Sequence, residues 1–222
     1  MKQRPILFKG SMVRAILDDI KTQTRRIAHA DSTDSLRTSP FVKSGVETMH
    51  GYEVKNRFGV AGDQLWVRET WSHDAESVDE CRAAFEDVYG GISFGPYYLA
   101  TESAPETLRW IPSIHMPRWV SRITLSIESI HIEPLNSISI EDAVAEGLTK
   151  ISKDGGKTWK YGIPDKDGLP GRDDDGWPWT DWELDPRVAY RKLWESINGA
   201  GSWDLNPWVT VIKFKRINHG SN

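Results

Sequence analysis

Hydrogen-bond donors and cations are most concentrated in the six residues from Lys21 to Arg26, which include Thr22, Thr24 and Arg25. A lysine at the end of an apolar helix can be partly desolvated, which lowers its pKa and makes its amine a nucleophile or a base. Two adjacent arginines suit a phosphate, because each guanidinium group can donate two parallel hydrogen bonds. The competing interpretation is an exposed basic strand edge without chemistry.

Several other motifs are incomplete. Gly155-Gly156-Lys157-Thr158 resembles the end of a phosphate-binding loop, but Ile151 stands where that loop requires its first glycine. The six histidines lack paired metal-ligand spacing, and the single cysteine, Cys81, excludes an internal disulfide. The sequence therefore predicts no metal site and no cofactor.

The charge of the chain is uneven. The 222 residues carry a net charge of −4, which excludes a protein that is basic throughout. Residues 1–68 have 12 basic and 7 acidic side chains, a net charge of +5, whereas residues 69–106 have 1 basic and 9 acidic, a net charge of −8. A basic region of this kind is compatible with a polyanion bound at one face, although charges that only solvate the surface would look the same.

The lengths of the apolar runs indicate whether the chain enters a membrane or is secreted. None approaches the roughly 18 residues that a membrane helix requires, and the first residues lack the apolar stretch of a secretory signal. We therefore expect a cytoplasmic protein with no membrane partner.

The spacing of apolar residues predicts the elements that position these side chains. Short strands, few helices and no alternation of strand and helix predict one α+β domain over 1–222, a small antiparallel β-barrel with packed helices. Residues 72–109, with a helix near 78–88, and residues 149–184 are predicted to be loop-rich insertions. The other predicted elements are a helix over 12–20 with Ser11 as its N-cap, a strand over 21–27, strands over 64–68 and 123–128, a capped helix between Ser139 and Gly147, a helix near 186–197 and a strand over 208–216.

The order of these motifs resembles the ASCH domain, a family of the PUA-like superfamily of small β-barrels associated with RNA. The resemblance lies in a helix followed by Lys21-Thr22-x-Thr24-x-Arg26, then Gly62-Asp63-x-Leu65-Trp66-Val67-Arg68, and a later helix that ends in Ala145-Glu146-Gly147. The segments Arg118-Trp119-x-Ser121-Arg122-Ile123 and Ser196-Ile197-Asn198, with Trp203-x-x-Asn206-Pro207-Trp208, resemble longer, prophage-type members. Lys21 and Arg26 match the signature Gly-x-Lys-x-x-x-x-Arg, whereas Asp19 occupies the glycine position.

One branch of this family is similar to a small bacterial amidohydrolase that deacetylates 4-acetylcytidine. The resemblance implies that Lys21, Thr24 and Glu146 are catalytic. Amide hydrolysis would use Lys21 as nucleophile or cation, Glu146 as general base and Thr24 as hydrogen-bond donor. Glu146 could instead share a solvated acidic helix face with Asp142, and Glu69 is the substitute carboxylate.

Aromatic and basic residues elsewhere predict a pocket for a base. Arg118 and Arg122 flank Trp119, an arrangement found where a base stacks and phosphates are held, although Trp66, Trp119 and Trp208 could each simply pack in the core. The residues predicted to bind substrate or nucleic acid are Arg25, Arg26, Trp66, Arg68, Glu69, Arg118, Trp119 and Arg122.

Three classes of function fit these features. The first is an ASCH protein that binds RNA or a modified nucleobase or nucleoside in a basic cleft, with hydrolysis of an N-acyl group on cytidine left open. The second is a non-catalytic RNA-binding or ribonuclease-like protein. The third is a phage protein that binds a protein partner through its acidic or Trp-rich insertions. The sequence leaves the oligomeric state open.

Overall fold

The computed structural model describes residues 1–28, 36–86, 96–102, 107–172 and 175–217. Its helices are α1 (Gly10–Leu17), α2 (Val78–Glu86), α3 (Ile140–Ala145) and α4 (Pro186–Asn198). Its strands are β1 (Gln3–Leu7), β2 (Gln23–Ile27), β3 (Leu36–Thr38), β4 (Val46–Thr48), β5 (Gln64–Arg68), β6 (Trp71–Ser72), β7 (Tyr97–Tyr98), β8 (Thr124–Pro134), β9 (Thr149–Ile151), β10 (Lys160–Gly162) and β11 (Trp208–Ile217).

A five-stranded sheet in the order β1-β5-β8-β11-β2 forms the centre of the molecule. The longest pair, β8 with β11, is antiparallel, and its register shifts between Lys213 and Phe214. The predicted α+β class is confirmed. The wholly antiparallel arrangement is wrong, because β1 runs parallel to β5.

The two edge strands, β1 and β2, approach each other without pairing. In the described part of the chain no backbone ladder joins them, so the strand pairing does not close a barrel. The Nη2 atom of Arg26, on β2, donates to the carbonyl oxygen of Leu7, on β1, at 2.5 Å. The Arg26 guanidinium also lies 5.1 Å from the centre of the Phe8 ring. A side chain rather than a ladder therefore connects the two edges.

The core lies between this sheet and the helices α1 and α4. Helix α1 contributes Val13 and Ile16, and α4 contributes Leu193 and Trp194, at the spacing that places apolar residues on one helix face. Burial of this face holds α1 against the sheet and fixes the place where the chain leaves the helix. Lys21 follows four residues after the end of α1.

Helix α1 begins earlier than predicted and is capped differently. Lys9 is its N-cap residue, without a side-chain cap, so the prediction of Ser11 as N-cap is wrong. The Ser11 amide instead donates to the carboxylate of Asp175 at 2.7 Å. A residue of the second predicted insertion therefore completes the N-terminus of α1, which sequence spacing alone cannot reveal.

The two predicted insertions contain short ordered elements. Residues 72–109 include α2 and the strand β7, which pairs with β6, while 149–184 include the antiparallel pair β9 and β10. Residues 87–95, 103–106 and 173–174, with the last part of the predicted helix at 78–88, lie outside the described residues. None of the described helices combines the length and the apolar character that crossing a membrane requires.

Asp19 adopts a left-handed backbone conformation at the turn between α1 and β2. Its φ angle is +56°, in the left-handed region, which Asp enters more readily than most residues because its short side chain can bond locally. Its carboxylate accepts hydrogen bonds from Arg216 at 3.0 and 3.2 Å. Asp19 therefore forms part of this turn and connects it to β11 through Arg216.

Gly147 ends the helix α3 directly against Lys21. Its φ angle is +103°, and a Cβ atom there would lie 3.2 Å from the Cβ atoms of Ala15 and Lys21. A side chain at this position would meet both a strained backbone and a close contact. The glycine therefore allows α3 to approach the start of β2.

We expect Gly147→Ala to destabilise the protein more than Gly199→Ala does. Gly199, at the end of α4, has a similar φ angle of +98°, but a Cβ atom there would meet nothing within 4 Å. Each substitution pays a backbone cost of about 1–3 kcal/mol, and only Gly147→Ala adds a contact with Lys21. Urea unfolding of the two variants measures the difference, and equal losses would contradict the close packing of Gly147 on Lys21.

Candidate functional site

A cavity of about 490 Å³ opens at the gap between the edge strands β1 and β2. Its volume lies within the range of small-molecule sites in proteins. The turn after β1, the start of β2, the end of α3 and one face of α4 form its walls. The residues used below are Phe8, Lys21, Thr24, Arg25, Arg26, Glu146, Tyr190 and Trp194.

Lys21 and Glu146 form a buried ion pair in this cavity. The Lys21 Nζ atom donates to Glu146 Oε2 at 3.0 Å and to the Glu146 backbone oxygen at 2.6 Å, and each side chain is 3% exposed. Burial lowers the pKa of Lys21 below its ordinary value, since removal from water disfavours the ammonium, and the Glu146 carboxylate opposes this shift. The suggestion that Glu146 lies on a solvated face is wrong.

Arg25 fixes the Glu146 carboxylate from the other side. Its side chain is fully buried, and Nη1 donates to Glu146 Oε1 at 3.1 Å. Its Nη2 atom donates to Glu133 at 2.7 Å and to Asp142 at 3.2 Å. Both terminal nitrogens are therefore occupied by carboxylates, so Arg25 positions Glu146 and is not free to hold a phosphate.

Thr24 leaves an unused hydroxyl group at the cavity wall. The residue is 4% exposed, and its hydroxyl has no hydrogen-bond partner among the described residues. Three further polar atoms of lining residues are buried without a partner: Nε of Arg25, Nε of Arg26 and Nε1 of Trp194. Buried polar groups in native proteins are almost always paired, so these donors at the cavity wall are available to a ligand that accepts hydrogen bonds.

The structure places Lys21 before the strand rather than on it. Alternation along a strand over 21–27 would put Lys21 and Thr24 on opposite faces, but β2 begins at Gln23. The amides of Ile20 and Lys21 both donate to the Ala15 carbonyl at 2.8 Å, which turns the chain at this point. Because of this turn, Lys21 and Thr24 face the same cavity.

Tyr190 belongs to the cavity, although the sequence did not indicate it. It is buried and lies on α4 beside Trp194, with the two ring centres 6.4 Å apart. Burial first, and the nearby Glu146 carboxylate second, raise the pKa of Tyr190 well above its ordinary value. Its spacing along α4 matches that of core residues, so periodicity cannot separate a core aromatic from a cavity aromatic.

Three predicted binding residues lie outside this cavity: Trp66 and Arg68 on the outer face of β5, and Arg118, which packs against Trp66. Trp66 alternates with the buried residues Leu65 and Val67, so its ring points away from the core. The guanidinium of Arg68 lies 5.1 Å from the Trp66 ring centre, and that of Arg118 lies 5.8 Å from it. The structure therefore separates Trp66, Arg68 and Arg118 from Lys21.

Glu69, Arg122 and Trp119 form a further group with structural contacts. Arg122 donates to both carboxylate oxygens of Glu69 at 2.9 Å, and its guanidinium lies 3.9 Å from the Tyr98 ring centre. Burial raises the pKa of Glu69, and Arg122 opposes this shift. Trp119 packs edge-on against Trp71 at 6.2 Å. These residues do not line the cavity, so Glu69 does not substitute for Glu146.

Comparison of the chain with protein-family models, with curated proteins and with solved structures finds no match. Among the described residues no group of three or more His, Cys, Asp or Glu could hold a metal ion. Function is therefore inferred from the chemistry of the cavity.

We expect Glu146→Ala to lower the free energy of unfolding by about 3–5 kcal/mol, because it leaves two buried cations without their shared anion. The matched control is Asp204→Ala, which removes an exposed partner of Arg191 and should change stability by less than about 0.5 kcal/mol. Chemical denaturation of both variants measures these changes. A Glu146→Ala protein as stable as the control would show that the network is not formed.

Proposed function

We propose that this cavity binds a cytosine nucleoside, free or within RNA, and hydrolyses an acyl group on its exocyclic nitrogen. The observation that carries the proposal is the convergence of Lys21, Thr24 and Glu146 on one cavity, with the lysine and glutamate 3.0 Å apart although 125 residues separate them. These are the three residues that the ASCH resemblance implies as catalytic. The cavity volume suits a ligand of nucleoside size.

The walls of the cavity suit a planar, polar ligand. Phe8, Tyr190 and Trp194 supply aromatic surface on which a pyrimidine ring can stack. The unpaired Nε1 donor of Trp194 and the hydroxyl of Thr24 match the carbonyl oxygens of an acylated cytosine.

The chemistry follows from the donors and acceptors present. An ammonium group has three N–H bonds, and Lys21 uses two of them on Glu146. In the proposed reaction the third, together with the Thr24 hydroxyl, donates to the acyl oxygen as negative charge develops there. Glu146 takes a proton from the attacking water, the water oxygen bonds to the acyl carbon, and the carbon–nitrogen bond breaks. The proton passes to the leaving exocyclic nitrogen, so the products are cytidine and a carboxylic acid.

Arg25 has a positioning role in this proposal. It holds one oxygen of Glu146 and is itself held by Glu133 and Asp142, so the carboxylate has little freedom to rotate. A base must stay within hydrogen-bond reach of the water that it activates, and restricted geometry of this kind contributes to the rate.

We also propose that the chain is a prophage-type ASCH protein with a PUA-like barrel left open between β1 and β2. The order of the signature elements supports this assignment. The bridge from Arg26 to Leu7 supports it too, because it joins the two strand edges that a closed barrel would pair.

We expect Thr24→Val to lower the rate of acyl release from 4-acetylcytidine by about 100-fold or more, because it removes one donor to the developing oxyanion. Stability should change little, since the hydroxyl has no partner among the described residues. The matched control is Thr210→Val, at a buried position on β11 that does not line the cavity. Mass spectrometry of the nucleoside, free and within RNA, measures the release.

The two variants separate a catalytic hydroxyl from a general effect on the strands. Equal rates for Thr24→Val and Thr210→Val would contradict the role of Thr24. If the wild-type protein binds 4-acetylcytidine without releasing the acyl group, the hydrolytic part of the proposal fails and a binding module takes its place.

A further inference from the structure

The cavity continues into two further hollows along the edge strand β1. A hollow of about 320 Å³ shares Leu7, Arg26 and Arg57 with the cavity. A third, of about 490 Å³, shares Arg4 with the second and reaches Lys2 at the start of the chain. The three hollows are neighbours that share lining residues, and we call them together the basic groove. Its cationic residues are Arg26, Arg57, Arg4, Lys55, Lys2 and Lys43.

Most of these cations have no anionic partner. Lys2, Lys43, Lys55 and Arg57 are exposed, and none of them forms an ion pair with another described residue. Exposed cations gathered in a depression create a local positive potential, which raises the local concentration of anions. The net charge of +5 over residues 1–68 arises in part from this groove.

Two carboxylates line the groove, and both are already engaged. Asp63 accepts hydrogen bonds from the Lys2 amide at 2.7 Å and from Arg4 Nη1 at 3.1 Å. Glu53 accepts a hydrogen bond from the Ser44 amide at 2.8 Å. They neutralise only part of the positive charge, so the groove keeps an excess of cations.

The groove is long enough for several phosphate groups. The strand β1 ends at Leu7, which lines the cavity, and Lys2 directly precedes its first residue; five steps at about 3.3 Å per residue cover roughly 17 Å. A free nucleoside that fills the cavity would leave this length empty. A polyanion with charges at regular intervals would fill it.

We propose that the basic groove binds the phosphodiester backbone of a single-stranded nucleic acid whose target nucleotide occupies the cavity. This inference rests on the proposed function, because the target base must enter the cavity. The substrate is then a nucleic-acid strand rather than a free nucleoside. The strand must be unpaired there, because a base can reach residues as buried as Lys21 and Thr24 only when it leaves its stack. Contacts with phosphates confer affinity without sequence preference.

The test compares two triple variants that remove the same charge from different surfaces. Lys2→Ala, Lys43→Ala and Lys55→Ala together remove three cations from the groove. The control combines Lys150→Ala, Lys153→Ala and Lys157→Ala, which are exposed on and after β9 and do not line the groove. The probe is a fluorescent single-stranded RNA of about a dozen nucleotides with one central 4-acetylcytidine, and a DNA strand with the same base sequence tests the role of the ribose.

Fluorescence anisotropy at several salt concentrations gives the affinity. We expect the groove variant to bind the RNA at least about tenfold more weakly than wild type, while the control variant keeps most of the affinity. The slope of log affinity against log salt should fall by about 2, since each lost phosphate contact on a single strand contributes roughly 0.7. A similar loss with the DNA strand would support recognition through phosphate. Equal affinities of the two triple variants, or no binding by wild type, would overturn the proposal.

Failure of this inference is distinguishable from failure of the proposed hydrolysis. Wild-type protein that releases the acyl group from free 4-acetylcytidine but shows no groove-dependent strand binding would overturn the groove alone. Groove-dependent binding without any acyl release would support the groove and contradict the hydrolysis.

Discussion

The buried carboxylate of Glu146 is the point on which this structure depends. Two cations, Lys21 and Arg25, are removed from water with it, and each would be costly to bury alone. Pairing offsets that cost only when the distances are short, so the end of α3 and the start of β2 must keep their positions. Gly147 permits this approach, because at its place a side chain would contact Lys21. The same network that stabilises the junction thus also places an amine and a carboxylate at the wall of a cavity.

The second constraint is the unpaired gap between the edge strands. The order β1-β5-β8-β11-β2 leaves β1 and β2 as edges, and the Arg26 side chain joins them. A complete ladder would pair the backbone where Leu7 and Ile27 now line the entrance of the cavity. The cations of the basic groove lie along the same open edge. The cavity and the basic groove therefore both lie along the unpaired edge of the sheet.

The sequence predicted part of this site because some signals are local. Lys21 follows an apolar helix, and the family resemblance implied Thr24 and Glu146, so these three residues could be named without a structure. The strand at 64–68 was also predicted with its observed bounds. Alternation within it could have shown that Trp66 lies on the face opposite Leu65 and Val67, but not which face borders the cavity.

The remaining contacts are long-range, and no spacing rule contains them. The pairing of Arg25 with Glu133, Asp142 and Glu146 joins residues more than 100 positions apart, and the capping of α1 by Asp175 does the same. Glu69 was predicted as a substitute carboxylate and Arg122 as one of two arginines flanking Trp119, whereas in space they bind each other. Tertiary contacts of this kind decide whether a charged residue is structural or free to act.

A crystal structure of the protein with cytidine, the product of the proposed reaction, would test the central claim most directly. We expect the pyrimidine ring in the cavity at the β1–β2 gap, with its exocyclic nitrogen near the Lys21–Glu146 pair and within reach of the Thr24 hydroxyl. Cytidine bound elsewhere on the protein, or an empty cavity at saturating cytidine, would contradict it.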